Sequence, residues 1–146
     1  MRSFFKKGGA EGQPDAGGQG AADGDGITVL IVDDSPTETH VIKNIVEGGG
    51  FNAITAPDGE SGIAEARQSK PDVILMDVVM PGLNGFQATR QLTKDPETAD
   101  IPVIMVTTKD QETDRAWGLR QGAKEYVVKP ITSAELLAKI RTVLSD

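Results

Sequence analysis

Ile27-Thr28-Val29-Leu30-Ile31-Val32 is an apolar, β-branched run of strand length that stops at Asp33-Asp34. Its near-continuous hydrophobicity predicts a strand covered on both faces. Val73-Ile74-Leu75-Met76 ends the same way at Asp77, Val103-Ile104-Met105-Val106 ends at Thr107, and a weaker run, Tyr126-Val127-Val128, ends at Lys129-Pro130. Phe51 to Ala56 supplies a fifth short strand. Between these runs the spacing turns helical: Val41, Ile42, Ile45 and Val46 after Pro36, then Ile63 with Ala64 and Ala66, Phe86 with Leu92, and Leu136, Leu137, Ile140, Val143 and Leu144 near the end. Five strands alternating with five helices predict an α/β domain, a doubly wound parallel sheet with helices on both faces.

The turn residues fall where this order needs them. Gly48-Gly49-Gly50 stops the first helix, Pro57-Asp58-Gly59 introduces the second, Pro81-Gly82 turns the chain after the third strand, and Gly122 ends the fourth helix. Upstream of Ile27 the pattern disappears. Residues 1–26 hold eight of the 17 glycines and two large apolar side chains, Phe4 and Phe5, too little to offset the entropy of ordering. A disordered arm over 1–26 and one domain over 27–146 are expected. Arg2, Lys6 and Lys7 around the two Phe form either a small docking motif or part of an inert extension.

Composition narrows the function. The 146 residues carry 15 Lys and Arg against 22 Asp and Glu, a formal charge of -7, which disfavours nucleic acid and anionic lipid as partners. No apolar run is long enough to span a bilayer. Cysteine is absent, so there is no thiolate metal site, and a cytoplasmic location is expected.

In an open parallel sheet, ligands bind beyond the carboxyl ends of the strands. Asp33, Asp34, Asp77, Thr107 and Lys129 all arrive there. Three neighbouring carboxylates repel unless a pKa rises or a cation binds, and an all-oxygen donor set suits Mg²⁺. Taken singly, each residue has an ordinary explanation: Asp34 or Ser35 as the cap of the first helix, Lys129 as a solvated charge, Thr107 as a hydroxyl satisfied by backbone. Their joint placement argues for a site.

Val-Asp-Asp-Ser at 32–35, Leu-Met-Asp-Val-Val-Met-Pro-Gly at 75–82, Val-Thr-Thr at 106–108 and Tyr-Val-Val-Lys-Pro at 126–130 resemble the CheY-like receiver domain of two-component response regulators. Gly82 to Arg90 and Thr107 to Asp114 are most similar to regulators of type IV pilus twitching motility. The resemblance implies a flavodoxin-like (βα)5 domain with strand order 2-1-3-4-5. It implies Asp77 as phosphoacceptor from a CheA-like sensor histidine kinase. Mg²⁺ would be held by Asp34, Asp77 and the backbone carbonyl of Val79, with Asp33 acting through water. Lys129 would pair with the phosphoryl group, aimed by a cis peptide before Pro130, and Thr107 would donate its hydroxyl. Thr107 and Tyr126 would form the switch that alters the surface of the fourth helix, fifth strand and fifth helix for a downstream motor or scaffold protein.

Val79 departs from the polar residue that many relatives place there. His40 is expected to be solvated, and Trp117 either packs on a neighbouring helix or faces a partner. With no residues after Asp146, a monomeric stand-alone switch is expected, which is not an enzyme beyond its own phosphorylation and dephosphorylation. A phosphate sink without its own output is an alternative role. An Mg²⁺-dependent phosphohydrolase is a competing class, but Asp77 is followed by Val78-Val79 rather than a second acid. A nucleotide-binding domain would need a Gly-rich loop where Asp33-Asp34-Ser35-Pro36 stands.

Overall fold

The computed structural model describes residues 26–145. The predicted arm lies outside them except for Gly26. Ten elements alternate: β1 (Thr28–Val32), α1 (Pro36–Gly48), β2 (Asn52–Ala56), α2 (Gly59–Ser69), β3 (Val73–Met76), α3 (Gly85–Lys94), β4 (Val103–Thr107), α4 (Glu112–Gln121), β5 (Glu125–Val128) and α5 (Ser133–Leu144). The strands form one parallel sheet in the order β2-β1-β3-β4-β5. This is the expected doubly wound order.

Alternate strand residues feed two separate cores, which is why the central strands lack a polar face. Leu30, Val32, Ile74, Met76, Val103 and Met105 pack with Ile63 and Ala66 of α2 and Ala88 and Leu92 of α3. Val29, Ile31, Val73, Leu75, Ile104 and Val106 pack with Ile42 and Val46 of α1 and Leu136, Ile140 and Val143 of α5. Val41, placed by its spacing among the apolar positions of α1, is instead exposed; Ile42 and Val46 carry the buried stripe.

Caps fix the helices that border the carboxyl edge. Ser35, not Asp34, caps α1, accepting the Glu38 amide at 3.3 Å. Asn84 and Gln87 close a reciprocal capping box on α3. Gly122 ends α4 in the left-handed conformation at φ 116°, where a side chain would be strained.

α4 buries only Gly118 and Gln121 and leaves Trp117 and Leu119 about half exposed.

Candidate functional site

Register assembles the site. Val32 lies opposite Met76, Met76 opposite Met105, and Thr107 opposite Val128. Asp33, Asp77 and Lys129 each follow one of these residues directly, so the strand ends converge. Main-chain bonds carry the sheet to its last residues: Asp33 N–H donates to the Ala56 carbonyl at 3.2 Å, Asp77 N–H to Val32 at 3.0 Å and Lys129 N–H to Thr107 at 2.8 Å. The expected site residues are therefore brought together on rigid backbone.

Carboxylate oxygens of Asp33, Asp34 and Asp77 lie within 4.8 Å of one another. Asp33 is buried and both its oxygens are engaged: Oδ1 accepts the Ser35 amide at 2.9 Å, and Oδ2 accepts from Lys129 Nζ at 2.9 Å. Asp34 is exposed and its carboxylate has no hydrogen bond or ion pair among the described residues. Asp77 is 7% exposed; its Oδ1 accepts the Val78 amide at 2.7 Å and its Oδ2 stands 3.6 Å from Lys129 Nζ.

Burial raises the Asp77 carboxyl above the ordinary carboxylate range, and the neighbouring Asp33 adds to it, outweighing Lys129, the Val78 amide and the Thr107 hydroxyl. Burial pulls the Lys129 ammonium down, but its bond to Asp33 and the charges of Asp77 and Glu38 reverse this and leave it raised. Lys129 is thus firmly charged while Asp77 is short of compensation. The donor set is oxygen only, one member solvent-facing and two buried beside the Lys129 ammonium, which fits a hard divalent ion.

Thr107 is fully buried, and its Oγ1 accepts the Lys109 amide at 3.3 Å. Tyr126 is buried, its ring beside Gly118, and its hydroxyl donates to the Lys109 carbonyl at 2.8 Å. Thr107 and Tyr126 therefore grip the same residue from its two main-chain ends. Burial, reinforced by Asp114, pushes the Tyr126 hydroxyl up to about 12. The Lys129-Pro130 bond is cis. Val79 is exposed, and His40 is exposed with Asn44 as its neighbour. Trp117 is on the surface rather than in a helix interface, with the Arg120 guanidinium 6.0 Å from its ring.

Two contributors went unassigned in the sequence. A Cβ on Gly85 would lie 2.0 Å from the Asp77 carbonyl oxygen, and Gly85 N–H donates to the Val78 carbonyl at 2.9 Å. Only glycine lets α3 begin against the backbone of Asp77. Its place after Asn84 was visible, but this contact arises from the fold. Glu38 Oε1 stands 3.7 Å from Lys129 Nζ; its signal was Ser-x-x-Glu at 35–38, which reads locally as a cap.

Residues 29–141 match the family described as response regulator receiver domain. Protein PilH of Pseudomonas aeruginosa is 61% identical over 117 residues, covering 80% of this chain and 97% of that protein. Chemotaxis protein CheY4 of Vibrio cholerae superposes with a TM-score of 0.76 at 30% identity, over 81% of this chain and 98% of its own. The receiver domain of sensor histidine kinase PA1611 from P. aeruginosa, solved with a magnesium ion coordinated in its active site cleft, gives a TM-score of 0.77 at 29% identity, over 83% of this chain and 99% of its own. The acidic edge and the family match coincide on the same strand ends, and the chain belongs to the response regulator receiver domains.

Proposed function

We propose that Asp77 is the phosphoacceptor of a signalling switch, loaded by a sensor histidine kinase of the CheA-like type. The observation that carries this is a buried, under-compensated carboxylate at a strand end, 3.6 Å from a lysine and within 4.8 Å of two further acids. An Asp77 oxygen attacks phosphorus, the N–P bond of a phosphohistidine breaks with its electrons returning to the imidazole, and an acyl phosphate remains. Lys129 then pairs with a phosphoryl oxygen. The buried hydroxyl of Thr107 lies on the neighbouring strand and donates to another.

Asp34 and Asp77, with the main-chain carbonyl of Val79, would hold Mg²⁺. The unpaired carboxylate of Asp34 and the doubly engaged one of Asp33 support direct and water-mediated roles respectively. Bound there, the ion supplies positive charge against the phosphoryl oxygens.

The output runs through Lys109, held between Thr107 and Tyr126. A Thr107 hydroxyl drawn to a phosphoryl group releases the Lys109 amide, and the surface of α4, β5 and α5 adjusts. Exposed Trp117 and Leu119 on α4 offer apolar contact for a downstream motor or scaffold protein. Similarity to PilH supports a role in a chemotaxis-like pathway for type IV pilus twitching motility, and in this reading the chain acts as a cytoplasmic monomer. No helix among the described residues is long and apolar enough to cross a membrane.

Acetyl phosphate with Mg²⁺ should add one phosphoryl group, about 80 Da for an aspartyl acyl phosphate, by intact mass. The Asp77→Asn chain should take up none. Full labelling of that variant removes Asp77 from the mechanism.

A further inference from the structure

Ser35-Pro36-Thr37-Glu38 has the sequence of a capping box, in which the N-cap serine accepts the N3 amide and the N3 glutamate turns back to accept the N-cap amide. Only the first half forms. Ser35 Oγ accepts the Glu38 amide at 3.3 Å, but the Ser35 amide donates to Asp33 Oδ1 at 2.9 Å. The Glu38 carboxylate loses its local partner to the active-site acid and lies instead 3.7 Å from Lys129 Nζ. In α3 and α4, by contrast, Gln87 and Asp114 do fold back on their caps. Glu38 is thus the third carboxylate around Lys129, placed at the mouth with its side chain 44% exposed, while Asp33 and Asp77 lie inside.

We propose that Glu38 is a specificity-determining residue of the phosphoryl-transfer site. This inference rests on Asp77 being the phosphoacceptor. Glu38 competes with an incoming phosphoryl group for the Lys129 ammonium and adds negative charge along the approach to Asp77. Both effects grow with the charge of the donor. The cleft therefore resists small, multiply charged phosphodonors and favours a phosphoryl group delivered by a protein surface that brings its own cations to the rim. The same charge assists a divalent cation, so its removal should have opposite consequences for anionic donor and metal.

The test uses the full chain with Mg²⁺ and follows labelling by intact mass. Acetyl phosphate is the more highly charged donor near neutral pH and phosphoramidate the less charged. Glu38→Gln keeps the length and the helix position. It should raise the second-order labelling rate with acetyl phosphate by about threefold to tenfold at low salt, the range for one partly solvated charge. The gain should shrink at high salt and be smaller with phosphoramidate. Mg²⁺ affinity, measured by direct titration without donor, should fall, and Glu38→Asp, which keeps the charge, should stay nearer the parent in both assays. A Glu38→Gln chain that labels and binds Mg²⁺ like the parent overturns the role of Glu38 alone, as does a gain independent of salt and donor charge. An unlabelled parent, or a labelled Asp77→Asn chain, overturns the phosphoacceptor reading and this inference with it.

Discussion

β1, β3 and β4 change character within a single residue. Val32, Met76 and Val106 are apolar and buried; the residues that follow, Asp33, Asp77 and Thr107, are just as buried and polar. Inside the sheet the side chains meet matching apolar partners on both faces. At its carboxyl edge, carboxylates crowd one ammonium, and Asp77 sits above the usual carboxylate range because burial costs it more than Lys129 returns. The interior is built for stability and the edge for reactivity. An edge held this close to an apolar core can keep its geometry while its charges remain only partly compensated.

Substitutions in the interior should cost stability, whereas those at the edge should go in either direction with the charge they remove. Ile74→Ala, in the middle of β3, removes a fully buried side chain and should cost about 4 kcal/mol in denaturant unfolding. Lys129→Met tests the edge from the other side. It strips Asp33 and Asp77 of their shared cation and should cost about 3 kcal/mol at neutral pH without divalent ions. A neutral result would mean that solvent already compensates the acids, and the contrast would weaken.

Asp77→Asn should move the other way, gaining up to about 2 kcal/mol at neutral pH without metal. The sign follows from proton linkage. The folded chain holds the Asp77 proton more tightly than the unfolded chain, whose carboxyl titrates near 3.8, so parental stability declines as pH rises from 3.8 through the raised folded value. The variant does not titrate there. Its advantage should open across that interval and close below it, as melting temperatures on a pH series would show. A variant less stable than the parent at neutral pH would show that Asp77 is well compensated.

Legibility in the sequence divides along the same line. Interior strands announce themselves by composition, and the residues that end them, Asp33, Asp34, Asp77, Thr107 and Lys129, follow from the rule that parallel strands present their carboxyl ends together. Strand order needed the resemblance to known receivers, because alternation alone does not order five strands. Gly85 and Glu38 were missed for a different reason. One is dictated by a carbonyl eight residues away that only the β3–α3 connection brings close; the other has a satisfactory local role that Asp33 displaces. Val41 was misjudged because a three-four spacing defines a stripe without fixing its edges. Phe4 and Phe5 fall outside the described residues.

The smallest expected effect concerns how long the edge stays modified. Hydrolysis of an acyl phosphate needs a water in line with the bond to phosphorus, and a polar side chain at the rim can hold one. Val79, two residues beyond Asp77, is exposed and apolar. Lys109 is exposed, and its main chain is held from both ends by the Thr107 and Tyr126 hydroxyls. Its side chain starts from a fixed point beside the site but offers a cation rather than an acceptor for water. Neither position can orient a nucleophilic water, so self-dephosphorylation should be slow. Val79→Asn combined with Lys109→Glu adds an amide and a carboxylate without touching Asp77, Lys129 or the core. It should speed loss of the label about tenfold, roughly 1.4 kcal/mol in the barrier, as decay of the phosphorylated mass after donor removal. Because both positions lie at the rim, the melting temperature of the unlabelled chain should hardly move. Unchanged decay would mean that water already reaches phosphorus without help from these side chains, and that the lifetime is set by Lys129 and the buried acids instead.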